Sequence, residues 1–322
     1  MQDFTKLVAG TLALVLLSGA AAAQSYPSRQ VRFIVGFSPG GGTDVVTRLI
    51  ADHLTRALGQ QVFVDNRPGA ASNIAGEIVA TSPPDGYTIF MGTISTSSNR
   101  TLYRKIKYDA LKDFAPVTQV LSTPFLFAVH PSLPPQNLKA FIAFAKARPG
   151  ELNYASAGSG SGAHLFSEMF RMMTGVDIVH IPYKGAAPAT TALLAGETMF
   201  KLDNIVTTLK LARSGKLRAL AVTTLTRSSA APEIPTMDEA GVPGYDANAW
   251  FGVFAPAGTP PEIIARLNSE IIKILKEPKV RDTLLVLGGE PVGSTPAEFG
   301  AFFKNEVDKW GKVIREAKMQ ID

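Results

Sequence analysis

Two short segments carry residue types that could hold a ligand without a charged side chain. Phe37–Asp44 (FSPGGGTD) and Ser156–His164 (SAGSGSGAH) each lie between an apolar β-rich run and an amphipathic helical pattern. Glycines at a strand-to-helix turn let the backbone approach a ligand closely, and the first helical turn presents N–H groups with no intrahelical partner. The chemistry that follows is anion binding, each helix end contributing about 0.3–1 kcal/mol toward a bound negative charge. Either loop alone reads as an ordinary turn. Two in matched positions, one per predicted domain, point to a shared anion site at the domain interface.

Further polar loops fall at the C-terminal ends of predicted strands, where open α/β sheets bind ligands. Arg67–Asn73 (RPGAASN) adds Ala71 and Ser72, and Gly92–Asn99 (GTISTSSN) offers the hydroxyls of Thr93, Ser95, Thr96 and Ser97. Pro182–Pro188 (PYKGAAP) offers Tyr183 as an aromatic wall and Lys184 as a cation, although a loop lysine more often stays in solvent. Asp44 stands in a first helical turn, where a carboxylate suits the dipole but would repel an anion, so it reads as an orienter of backbone or water. Phe37, Tyr183 and the Thr93–Thr96 segment read as walls for the rest of the ligand.

Enzyme patterns fail in definite ways. A nucleophile elbow needs Gly two residues to each side of its serine; Ser159 has Ala157 and Ser161 there, and Ser161 has Ser159 and Ala163. No Walker lysine follows FSPGGGTD, and GSGSG is not a dinucleotide fingerprint. The four histidines, His53, His130, His164 and His180, form no H-x-x-x-H metal pair, and only His164 abuts a candidate loop. With no cysteine in 322 residues, disulfides, thiolate nucleophiles and Cys-based metal sites are excluded. Lys+Arg 32 against Asp+Glu 27 leaves only +5, spread along the chain, which speaks against nucleic acid. Neither a metal nor a cofactor is expected, and no enzymatic activity.

The elements that must position these loops follow a strand–loop–helix rhythm from Val31. Strands are expected at Val31–Phe37, around QQVFVDN and at Tyr87–Gly92, with helices after the first and over Asn73–Thr81. Phe114–Leu121 and Thr123–His130 read as two extended segments. Helix over Gln136–Ala147, strand over Leu152–Ser156, helix over Gly162–Thr174 and strand over Val176–Ile181 then follow. Next come helix Pro188–Ala195, strand Thr198–Asp203, helix Ile205–Ser214 and strand Leu217–Thr224. This is an α/β chain with two sheets, large enough for two cores. A Pro-rich stretch from Pro232 to Gly244 reads as a surface excursion before Ala249–Gly258. Three helical patterns close the chain, the last with Phe299, Phe302, Phe303, Val307, Trp310, Val313 and Ile314 on one face, expected to pack back on the first sheet. The chain then crosses between domains near residues 122–128 and 246–252. Ahead of all this, Leu7–Leu17 with Ala21-Ala22-Ala23 reads as a secretory signal cleaved near Ala23, too short to span a bilayer.

An export signal followed in order by VGFSPGGGTDVVTRLIA, VDNRPGAASNIA, SPPDGYTI, DFAPVTQV, LNYASAGSGSGAHL, HIPYKGAAPA, GKLRALAVTT and AWFGVFAPAGTP resembles the Bug family. These are the TctC-type solute-binding receptors of tripartite tricarboxylate transporters, and the resemblance runs from about Tyr26 to the C-terminus. It implies a two-lobed periplasmic binding protein fold, each lobe a mostly parallel sheet flanked by helices, with the ligand in the interlobe cleft. The lobes would be 24–125 with 249–322, and 126–248, behind a signal peptide at 1–23. The implied function is capture of a small mono-, di- or tricarboxylate in the periplasm by a monomer, for delivery to a membrane permease, with no membrane insertion of the mature chain. The family's carboxylate loops map onto Ser38, Gly40, Gly41 and Thr43 and onto Ser156, Ala157, Gly158, Ser159, Gly160 and Ser161, and its aspartate onto Asp203. Two departures stand out: Ala155 replaces the glycine of a Y-G-S start, and Met199 and Lys201 interrupt the G-Q-V-D-V-M-F-D pattern. Lys201 reads as a solvated strand lysine. The rival readings are a secreted serine hydrolase using Ser159 or Ser161 with His164, and a carboxylate sensor feeding a two-component system.

Overall fold

The computed structural model describes residues 26–316 and 319–320, so the signal-peptide expectation lies outside the described residues. Val31–Val35 (β1), Val62–Asn66 (β2) and Thr88–Thr93 (β3) form a parallel unit in the order β2-β1-β3. Leu152–Ser156 (β5), Ile178–Pro182 (β6) and Phe200–Asn204 (β7) form a second in the order β7-β5-β6. Two long strands join them. Phe114–Val129 (β4) pairs antiparallel with Asn248–Pro256 (β9) as far as Pro124, and from Phe125 onward it pairs with β7 and with Arg218–Val222 (β8). The two extended segments read from the sequence are therefore one 16-residue strand that changes partners between Pro124 and Phe125. The architecture is a mixed α/β, two-lobed fold in which most strands of each lobe run one way. Against them run β9 and Glu290–Pro291 (β10) in the first lobe and β4 in the second.

Helices follow where apolar spacing and caps coincide. Gly42–Leu58 (α1) buries Val46, Ile50, Leu54 and Leu58 over β1 and β2, and Asn73–Ala80 (α2) buries Ala75 and Val79. Gly162–Thr174 (α5) starts at Ser161, whose Oγ accepts the His164 N–H, and stops at left-handed Gly175. Ile94–Leu102 (α3) corrects the expected GTISTSSN loop. Thr93 and Thr96 cap it reciprocally, and Ser97 and Ser98 turn their hydroxyls back onto the carbonyls of Ile94 and Ser95, which lets a hydroxyl-rich segment be buried as a helix. Leu138–Lys146 (α4), Ala186–Leu194 (α6), Ile205–Arg213 (α7), Pro261–Lys276 (α8) and Pro278–Val286 (α9) complete the layers with Pro296–Glu316 (α10).

That last helix does more than return to the first sheet. Phe299, Phe303 and Val307 pack with Trp250 and Phe254 in the first lobe, whereas Trp310 and Ile314 join the second lobe's core beside Phe166. The helix therefore straddles both lobes. The Pro-rich excursion is also tied down: Met237 N–H donates to the Val222 carbonyl, Val222 N–H donates to that of Pro235, and buried Tyr245 donates to the Phe166 carbonyl at 2.8 Å.

Candidate functional site

The first loop is braced from below. Asp44, 3% exposed, accepts hydrogen bonds from Gly40 N–H at 2.9 Å, Arg48 Nε at 3.0 Å and Asn66 Nδ2 at 2.9 Å. Burial pushes its pKa up, but those donors outweigh burial and hold the carboxyl below its ordinary value. Asp44 thus shapes the loop and does not line the cleft. The RPGAASN loop is held in a rarer state: Ala70, Ala71 and Ser72 all adopt left-handed backbone, at φ 46°, 46° and 74°. Each such non-glycine residue costs about 1–3 kcal/mol, and strain of this kind collects at functional sites. Asn99 secures the turn, its Nδ2 donating to the Ala71 carbonyl at 2.9 Å and to Asn73 Oδ1 at 2.7 Å.

Between the lobes lie two compartments that share Phe37 and Ala157 as walls. The inner one is a small cavity of about 50 Å³, open to solvent at its mouth. The starts of five helices line it: Gly41 and Gly42 of α1, Thr93 and Ile94 of α3, Ser161 and Gly162 of α5, Ala186 of α6, and Asn204 before α7. Each helix N-terminus carries about half a positive charge. Asn204 caps α7 by accepting the Val206 N–H at 3.0 Å, while its Nδ2, in a side chain 4% exposed, has no partner among the described residues. The floor is apolar and comes from the crossing strands, through Phe125 and Ala249–Phe251. The outer compartment is lined by the strained Ala70–Ala71 turn, Ala157–Ser159, Tyr103, Tyr183 and exposed Lys184.

The glycines have a second use here, for they let the lobes touch. A Cβ on Gly185 would fall 2.1 Å from Ser38 Oγ, one on Gly160 2.6 Å from Leu102, and one on Gly42 3.1 Å from Asn204. Tyr103 donates to the Ser159 carbonyl at 2.7 Å and Ser95 Oγ to that of Gly160 at 3.1 Å, both across the interface.

Of the residues expected from sequence, Phe37, Gly41, Thr43, Thr93, Ala157, Ser161 and Asp203 line the inner compartment. Ala71, Gly158, Ser159, Tyr183 and Lys184 line the outer one. Ser38, Gly40, Asp44, Ser72, Ser95, Ser156, Gly160 and His164 line neither, and the buried hydroxyls of Ser38 and Ser72 have no hydrogen-bond partner among the described residues. Ala155 lies in β5 and is not left-handed, so the missing glycine is not needed there. Asn204 and Ala186 were not among the expected site residues, although Ala186 lies in the PYKGAAP loop and an Asn between a strand and a helix is a capping signal. Lys201 is the clear correction. It is 1% exposed, and its Nζ lies 2.7 Å from Asp203 Oδ2 while donating to the Ala186 carbonyl at 2.9 Å and to Thr190 Oγ1 at 2.7 Å.

The hydrolase pairing does not assemble. Ser161 Oγ accepts a backbone N–H, and His164 Nδ1 accepts the Gly160 N–H at 3.0 Å instead of meeting a serine. Ser156 and His180 do pair, at 2.6 Å, but Ser156 is fully buried and out of a substrate's reach. His53 meets Glu277 at 2.9 Å and His130 meets Ser132 at 2.7 Å, both away from the cleft-lining residues.

Comparison with known proteins gives a consistent result. The family model described as the tripartite tricarboxylate transporter family receptor, TctC, matches residues 46–319. Protein BugT of Bordetella pertussis is 40% identical over 320 residues, covering 98% of both chains. An R. palustris protein solved with adipate superposes with a TM-score of 0.90 at 40% identity, covering 92% of this chain and 100% of that one. MatC from Rhodopseudomonas palustris, solved with bound malate, gives 0.86 at 33% identity, covering 90% of this chain and 100% of that one. Among the described residues no helix is long and apolar enough to cross a membrane.

Proposed function

The chain belongs to the TctC family of tripartite tricarboxylate transporter receptors, the Bug proteins, and on that premise we propose that it captures a small carboxylate between its lobes and delivers it to a membrane permease. The observation that carries this reading is the meeting of helix N-termini from both lobes on one compartment, with an Asn204 amide that has no partner among the described residues. Such a site holds a carboxylate by N–H groups, hydroxyls and helix dipoles, without a bidentate arginine. The relatives solved with adipate and malate support an acidic cargo. Lobes of residues 24–125 with 249–322 and of 126–248 rotate about β4 and β9, so the floor residues Phe125 and Trp250 couple occupancy to closure. The exported chain works in the periplasm as a monomer and without chemistry of its own.

A thermal-shift panel of mono-, di- and tricarboxylates against the mature protein tests this directly. Binding at a hundred times Kd stabilises by about 2.7 kcal/mol, so a matching acid raises the melting temperature by about 5 °C. A shift with uncharged sugars or cations, and none with any acid, would overturn the reading. Within the site, Asn204→Asp keeps the α7 cap but turns the free donor into a like charge. We expect about tenfold or greater loss of carboxylate affinity with the fold unchanged, read by calorimetry and circular dichroism.

A further inference from the structure

Behind the second loop stands a group of side chains that lines neither compartment. His164 and His180 stack face to face, ring centroids 4.0 Å apart and planes 6° from parallel, and Tyr154 continues the stack at 4.9 Å. Both rings touch the loop through nitrogen. Gly160 N–H donates to His164 Nδ1 at 3.0 Å. Gly158 N–H donates to Ser156 Oγ at 3.1 Å, and that oxygen lies 2.6 Å from His180 Nε2, where its hydroxyl proton can go. Gly158 and Gly160 hold φ of 119° and 88°, two states among the many open to glycine, so their surroundings must select them.

We propose that His164 and His180 are positioning residues for the carboxylate site: as a neutral stacked pair they anchor Ser156–Ser161 in its binding shape, and a proton on His164 dismantles it. The inference rests on the receptor reading above. His164 Nδ1 must be bare to accept the Gly160 N–H; once protonated it would present one donor to another. Burial, seconded by the Arg171 charge, pushes the His164 pKa down to about 4. Burial, seconded by His164, pushes that of His180 down to about 3. The other ionisable groups around the pair are Glu168 and Arg171 on α5, Tyr154 on β5, and Asp177, which acts on Arg171. Glu168 favours a proton on His180, but burial and His164 outweigh it, and its Oε1 accepts from Tyr154 at 2.9 Å and its Oε2 from Arg171 at 2.8 Å. The side chains flanking Gly160 from the other lobe, Asn99, Leu102 and Tyr103, add no charge at neutral pH.

The test separates shape from charge, with adipate as the probe. His164→Leu deletes the acceptor and is expected to weaken adipate about tenfold near pH 7.5, whereas His164→Asn, whose carboxamide oxygen can stand in for Nδ1, returns affinity to within about threefold. Between about pH 6 and pH 3 the parent should lose about tenfold relative to His164→Asn, as the competent unprotonated fraction falls. Taking the ratio cancels adipate's own protonation. Equal losses in the two variants, or parallel pH curves for parent and His164→Asn, would overturn the proposal. Nitrogen-15 NMR of the ligand-free protein should show His164 with a bare Nδ1, and a Gly160 amide whose exchange quickens in His164→Leu but not in His164→Asn. An Nδ1–H tautomer overturns the proposal. If adipate fails to bind even the parent, the choice of acid has failed, and these ligand-free spectra still decide whether His164 shapes the loop.

Discussion

Gly41→Asp is expected to weaken carboxylate binding by about a thousandfold while leaving the fold intact. Gly41 is the N-cap of α1, with φ −80° and ψ 166°, an extended backbone open to any residue. Aspartate is among the favoured N-cap residues and replaces glycine there with a gain of a few tenths of a kcal/mol, so the helix does not suffer. The cleft does. Gly41 lines the inner compartment, and the new carboxylate would sit among the N–H groups meant for the ligand. Two like charges about 4 Å apart at an effective dielectric near 20 repel by about 4 kcal/mol, which is about three decades in affinity. Sterics make a smaller demand, since a Cβ at 41 would lie 3.3 Å from Ala186 Cβ across the cleft and asks the lobes to part by a few tenths of an ångström. Gly41→Ser carries the same Cβ without the charge and is expected to lose less than about tenfold. Calorimetric titration of both variants with the acid selected by thermal shift, alongside their melting curves, checks the claim. Similar affinities for Gly41→Asp and the parent would move the anion elsewhere.

Local signals made much of this architecture readable, and the exceptions share a cause. The bounds of α5 could be read at both ends because Ser161 and Gly175 act through their own backbone. The two glycine-rich loops were visible for the same reason, as glycines between a strand and a helix. By contrast α3 was hidden because Ser, Thr and Asn favour turns in isolation. Only burial between α10 and the sheet, with hydroxyls returned to their own helix carbonyls, makes that segment helical. The compartment's floor was equally silent in sequence. Phe125 and Trp250 look like core residues of any strand, and they reach the site because β4 and β9 cross between lobes beside it. Lys201 is the instructive error. Residues i and i+2 of a strand share a face, so Lys201 and Asp203 were already placed to pair. The general rule that lysines stay in solvent hid a specific partner two residues away.

That pair sets the second large effect: Lys201→Met is expected to lower the melting temperature by about 10 °C. Breaking one side of a buried ion pair leaves an uncompensated charge and costs about 3–5 kcal/mol, at about 2–4 °C per kcal/mol for a domain of this size class. Asp203 is 3% exposed, and after the change only Thr190 and Thr208, at 3.3 Å and 3.1 Å, would remain on its Oδ2. Burial already pushes the Lys201 pKa down against the pull of Asp203, which marks how little solvent reaches the ammonium. Lys201→Met/Asp203→Leu is expected to recover most of the lost stability, because an apolar pair of similar volume is often as stable as a buried ion pair. It should not recover binding. Nζ also holds the Ala186 carbonyl and Thr190, which tethers the start of α6 beside the cleft, and Asp203 and Ala186 both line the inner compartment. A double variant that melts like the parent but binds carboxylate about tenfold more weakly would separate the two roles. One that regains both would make the pair a matter of packing alone, with the α6 N-terminus held in place by the sheet.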